Sequence, residues 1–169
     1  MAQGIRENLS QFLLLVLING FVGALVGMER SILPNLSETE FGLASKAAAV
    51  SFLISFGTVK ALGNLFTGRL ADRFGRKRIL IVGWLSGLPV PILVIYAPDW
   101  IWIVTANAFL GINQALCWSV TVIMKIDIAG PRRRGVATAA NEWAGYVGVA
   151  LAALATGWLA GRYSVRPVP

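Results

Sequence analysis

Few groups in this chain can do chemistry, and those few sit in apolar surroundings. Lys60 stands in SFGTVKALGN and Glu142 in NEWAGYVGVA, both within long stretches poor in charge. An ammonium at bilayer depth costs ~2.5 kcal/mol or more unless it meets a cavity or a partner. Lys60 therefore either faces a polar pathway or snorkels to the headgroups on its long stem. Gly57, Lys60, Asn64 and Thr67 are spaced 3, 4 and 3, which puts them on one helix face. Glu142 follows Gly135 by seven residues. A carboxyl partly out of water can load and release a proton, whereas one close to a helix N-terminus is simply favoured by the dipole. A longer stripe, Asn107, Gly111, Gln114, Trp118, Thr121 and Lys125, recurs at 4, 3, 4, 3 and 4. It forms one polar and aromatic face on an apolar segment, fit either to line a pathway or to hydrogen-bond between helices.

Other chemistry has no residues to carry it. The chain has no His and a single Cys, Cys117, so neither an intrachain disulfide nor a usual zinc or haem site is expected. No nucleophile motif or phosphate-binding glycine loop occurs. No metal, no cofactor and no enzymatic activity are therefore expected. Hydrophobic residues make up 56% and charged residues 14%, against ~25% charged in soluble domains. This is the composition of an integral membrane protein. A net charge of +7 would suggest a nucleic acid partner in a soluble chain. Here the cations gather in loops between apolar spans, where topogenic charge accounts for them and no nucleic acid is needed.

The elements that position these groups follow from the lipid bilayer as solvent. Backbone groups cannot go unpaired in lipid, so the spans must be helices, and the fold class is an all-α, polytopic membrane bundle. Five segments are long enough to cross ~30 Å of hydrocarbon. They fall at 11–29, 43–67, 79–97, 100–123 and 136–160. Between them are a loop with Pro34, Ser37, Glu38 and Glu40, the charged run GRLADRFGRKR at 68–78, a turn at Pro98-Asp99, and a second basic loop from Lys125 to Gly135. Phe12–Met28 lacks a small-residue cleavage site and is expected to stay as a span. Residues 161–169 form the tail beyond the last span. With the 68–78 loop inside, ten cations lie on the cytoplasmic side against Arg30, Lys46, Arg162 and Arg166 on the other. The expected topology is a multi-pass protein of the cell membrane with a cytoplasmic N-terminus.

The run Gly68, Leu70, Ala71, Asp72, Arg73, Gly75, Arg76 and Lys77 resembles the signature loop between helices 2 and 3 of the major facilitator superfamily of secondary transporters. Pro131, Arg133, Arg134 and Gly135 resemble the related motif after helix 4. Gly68 and Gly75 are read as the residues that let the chain turn tightly. The resemblance implies the N-terminal bundle of such a transporter, incomplete at about five of twelve helices. It implies transport of a small-molecule solute by alternating access, coupled to protons, with a C-terminal bundle as the missing partner. Asp72 takes a conformational role by the same resemblance, because the family's carboxylate docks on the opposite bundle. The family's first and fourth helices line its pathway, which makes Asn19, Asn107, Gln114 and Trp118 pathway candidates beside Lys60, with Asn113 a weaker one. Glu142 is the proton-coupling candidate, and Glu29 is read as interfacial. Asn19 begins a row that passes Gly23 and ends at Arg30, and the glycines Gly20, Gly23, Gly27, Gly145 and Gly148 are read as packing stripes. Asn107 stands where the family often has an Arg, and helix 5 lacks a Gly-Pro motif. Both departures weaken a drug-efflux reading. The alternative is a non-transporting scaffold or assembly half-bundle.

Overall fold

A computed structural model of the chain describes residues 4–43 and 45–163, and no strand occurs among them. The helices are α1 (Leu9–Thr39), α2 (Lys46–Ala49), α3 (Ser51–Phe74), α4 (Arg76–Gly87), α5 (Pro89–Ile95), α6 (Trp100–Ala129) and α7 (Arg134–Arg162), with a 3-10 turn at Pro131–Arg133. Four stretches among the described residues are long and apolar enough to cross a membrane: α1, α4 with α5, α6, and α7 with the turn before it. The protein is an all-α, multi-pass membrane bundle. α3 falls outside those four, since Lys60, Arg69, Asp72 and Arg73 dilute its apolar character.

Several helices run beyond the segments read from hydropathy. α1 continues ten residues past 29, through Pro34 and Ser37, where a loop was expected. Leu33 and Leu36 are fully buried there against Phe52, Ala97 and Ile103, and Ser37 Oγ donates to the Pro34 carbonyl at 2.6 Å. Burial on that face outweighs the missing proline donor. α6 likewise runs to Ala129, so Lys125 and Asp127 are helical rather than in a loop. In place of a continuous segment at 79–97 there are two helices, parted at Leu88 before Pro89. The Leu88 N–H bonds instead to Leu85, three residues back. α3 ends at Gly75, whose φ of 88° favours glycine. Gly68 makes no turn; it lies inside α3, and a Cβ there would meet nothing.

α6 is the central helix, packing on α1, α3, α4, α5 and α7. α1 and α7 cross at backbone distance. A Cβ on Gly23, Gly27 or Gly148 would overlap the backbone of Gly145, Val149 or Gly20. One end of the bundle collects both glycine turns and Gly4: the Gly4 N–H donates to the Ile128 carbonyl at 2.9 Å, and Arg76 pairs with Asp127. Lys125 is fully buried and Arg30 lies well inside α1. One cation thus leaves each side of the charge count. Arg166 and the rest of 164–169 lie outside the described residues.

Candidate functional site

The bundle's polar groups converge on a cavity of about 440 Å³ between α1, α3, α6 and α7. Val26 and Arg30 come from α1, Phe56, Lys60 and Asn64 from α3, Gln114, Trp118 and Ser119 from α6, and Glu142, Tyr146 and Val149 from α7. The 3-4 spacing of α3 and α6 turns one face of each helix to the same space.

Trp118 organises the wall. Its indole N–H donates to Glu142 Oε1 at 2.8 Å, and the Asn141 amide donates to the same oxygen at 3.2 Å. The Lys60 ammonium lies 4.9 Å from the Trp118 ring centre and 5.6 Å from that of Phe56. The indole thus stands between a carboxylate at its edge and an ammonium at its face, the arrangement its quadrupole favours. Tyr146 meets the ring edge-on with centres 5.7 Å apart. Gly145 makes this possible, because a Cβ there would enter the indole ring.

Arg30 is the residue that reading by hydropathy misplaced. Expected at the outer boundary, it lines the cavity with Lys60, its guanidinium 5.1 Å from the Phe56 ring centre. The row from Asn19 through Gly23 to Arg30 carried the signal, hidden by the early end given to α1. Glu29 is not interfacial: it is buried between α1 and α6 beside the Asn107 side chain. Neither of its carboxyl oxygens is in hydrogen-bonding geometry with a donor among the described residues.

The other candidates serve the walls. Asn19 is fully buried beneath the cavity, donating to the Asn141 carbonyl at 2.7 Å. Thr121 Oγ1 lies 3.0 Å from Asn19 Oδ1 and 3.1 Å from Asn141 Oδ1, tying α1, α6 and α7 together. Lys125, on the same face of α6, donates to the Leu15 carbonyl at 2.9 Å. Asn107 is buried and bonds to Ile103 one turn back. Asn113 turns away to the Gly83 carbonyl on α4. Gln114 lies in the cavity wall with its amide on the Val22 carbonyl, at 2.7 Å. Of the pathway candidates, the structure brings together Lys60, Gln114, Trp118 and Glu142, and it leaves Asn19 and Asn107 buried.

The family model for the Major Facilitator Superfamily matches residues 9–168. The chain belongs to the major facilitator superfamily. Among its relatives, it is 32% identical over 115 residues to the inner membrane transport protein YnfM of Escherichia coli, covering 66% of this chain and 27% of that protein. It is 31% identical over 123 residues to the sugar transporter ERD6-like 11 of Arabidopsis thaliana, covering 69% and 24%. The chain thus spans about a quarter of the length of these relatives. No solved structure matches it.

The superfamily's two loops lie side by side. Arg76 is bound by Asp127 of α6 and stands 3.8 Å from Asp72 one turn earlier. Asp127 was missed because it was assigned to the second loop. Asp72 itself is mostly exposed, as are Arg73 and Lys77, while Leu70 packs on the core cluster around Ile79 and Leu80. Arg133 and Arg134 are exposed at the start of α7, and Gly135, already helical, meets nothing that a Cβ would disturb.

Proposed function

We propose that this chain is the N-terminal bundle of a secondary transporter that moves a small anionic solute by alternating access, coupled to protons. The observation that carries the reading is the Lys60, Trp118 and Glu142 constellation in a polar cavity. An ammonium withdrawn from bulk water attracts a solute anion far more strongly than an exposed one does. A C-terminal bundle of the same protein completes the cavity, and rocking of the two bundles exposes it to each side in turn. The protein sits in the cell membrane with its N-terminus and both basic loops cytoplasmic. Asp72, exposed beside Arg76, latches the conformation closed to the cytoplasm.

Glu142 carries the coupling proton. Its carboxylate field reaches both Lys60 and Lys125, so neutralising it frees those cations to attract solute. Glu29 is the second placement for the proton, favoured by its buried oxygens without donors. The experiment is proton-driven uptake beside solute counterflow in vesicles holding both bundles. Lys60→Ala abolishes transport, and Glu142→Gln loses concentrative uptake while keeping exchange. Concentrative uptake by Lys60→Ala at the wild-type rate overturns the pathway role. Coupling lost in Glu29→Gln but intact in Glu142→Gln moves the proton to α1.

A further inference from the structure

Two cations share one aromatic ring in the cavity, and neither has an ion pair among the described residues. Arg30 and Lys60 lie 5.1 and 5.6 Å from the Phe56 ring centre, hence no more than about 11 Å apart. The ion pairs present, Arg76 with Asp72 and with Asp127, belong to the charged turn. Arg30 and Lys60 repel each other, and a bound anion relieves that repulsion. Glu142 is the acid in the lining, and its Oε1 is already engaged by Trp118 and Asn141. Two cations against one carboxylate leave the lining one positive charge; behind the wall Lys125 adds to that field and Glu29, when ionised, subtracts from it beside Arg30.

The neutral groups narrow the solute further. Ser119 donates to Asn64 at 3.1 Å, and the Gln114 amide is spent on the Val22 carbonyl. A polyol could still draw on the Asn64 amide N–H, the Tyr146 hydroxyl and Gln114 Oε1, which has no partner among the described residues, but the two cations outweigh these neutral groups and favour an anion. The rest of the lining is flat and apolar: Phe56, Trp118 and Tyr146, flanked by Val26 and Val149. The part of the cavity that this chain lines, about 440 Å³, has room for a single ring.

We infer that the cavity selects a monocarboxylate on an aromatic body, its carboxylate between Arg30 and Lys60 and its ring against Trp118 and Tyr146. This rests on the reading of the cavity as the solute site. Benzoate, benzamide, isophthalate, succinate and D-glucose are each titrated calorimetrically into the purified protein carrying both bundles, and each is offered for counterflow in vesicles. Benzoate is expected to bind best. Lys60→Gln, at a half-buried ammonium, should weaken it by roughly tenfold or more, and Arg30→Gln, at a more exposed guanidinium, by several-fold. Arg30→Lys should restore part of the loss. The inference is overturned if benzamide binds as well as benzoate, if either dianion or glucose binds better, or if Arg30→Gln leaves benzoate affinity unchanged. Benzoate binding without counterflow of any probe would sink the transport reading and leave this one standing. Glucose counterflow without benzoate binding would do the reverse.

Discussion

Two glycines one turn apart on α7 should behave in opposite ways when a methyl is added. In Gly145→Ala the new Cβ would lie 2.7 and 2.8 Å from Trp118 Cζ2 and Cζ3, against an ordinary carbon contact of about 3.5–4.0 Å. The ring must withdraw by roughly 1 Å. The 2.8 Å bond to Glu142 then stretches out of range. That bond to a carboxylate is worth about 1.5–3 kcal/mol, and the loosened contacts with Lys60 and Tyr146 about 0.5–1 kcal/mol each. These contacts are made with or without solute, so only the part of that energy that holds the ring in its binding position is lost from affinity, and a fall of roughly tenfold in benzoate affinity is expected. Fold stability should fall by less than in Gly148→Ala, because the atoms displaced are the edge of a ring on a cavity wall rather than backbone. In Gly148→Ala the Cβ would overlap the Gly20 carbonyl on α1, and backbone cannot swing aside. Separating the α1–α7 crossing costs about 1–3 kcal/mol, a melting temperature lower by roughly 5 °C. Calorimetric titration and a thermal melt of both variants decide the matter. The reasoning fails if Gly145→Ala keeps wild-type affinity, or if it melts as early as Gly148→Ala while binding normally.

Three further outcomes are expected. Asp72→Asn should slow counterflow while leaving solute affinity within a few-fold, because an exposed residue at the charged turn biases conformations without touching solute; a collapse of affinity would place it in the site. Asp127→Asn should cost no more than about 1 kcal/mol of stability, since Arg76 and Asp127 are both partly exposed, and exchanging the two residues should recover what either single reversal loses; a melt that drops as far as a core variant's would refute this. Cysteines placed at Asp72 and Arg132 should react with an impermeant thiol reagent only from the cytoplasm and one at Glu38 only from outside, against the buried Cys117; a Glu38 site that labels only from the cytoplasm would invert the topology.

Fold class was legible because the bilayer leaves few options: long apolar segments parted by charged turns can only be helices. Helix ends were not. Hydropathy registers where apolar character fades, whereas α1 and α6 end where their buried faces end. Leu33 and Leu36 hold α1 helical past Pro34, and Gly130 with a φ of 73° closes α6. The break at Leu88 was visible in the two prolines that follow it, but a mean taken over a window is blind to a missing N–H.

The site was half legible, and the missing half has one cause. Periodicity within a helix placed Lys60 with Asn64, and Gln114 with Trp118, because a 3-4 repeat fixes a face whatever lies opposite. Arg30 was lost, and Lys125 was counted with the loop cations although it closes the α6 stripe, because a cation near the expected end of a span is read as topogenic, and that reading depends on where the span ends. Each error hid one charge: Arg30 in the cavity, and Lys125 under Glu142. Asn19 carries the opposite ambiguity. A polar side chain in a span can serve solute or a neighbouring helix, and only its partners tell the two apart. Asn19 gives its amide to the Asn141 carbonyl and receives Thr121. That network ties α1 and α6 to α7 at Asn141, the residue before Glu142, whose carboxylate accepts from Trp118.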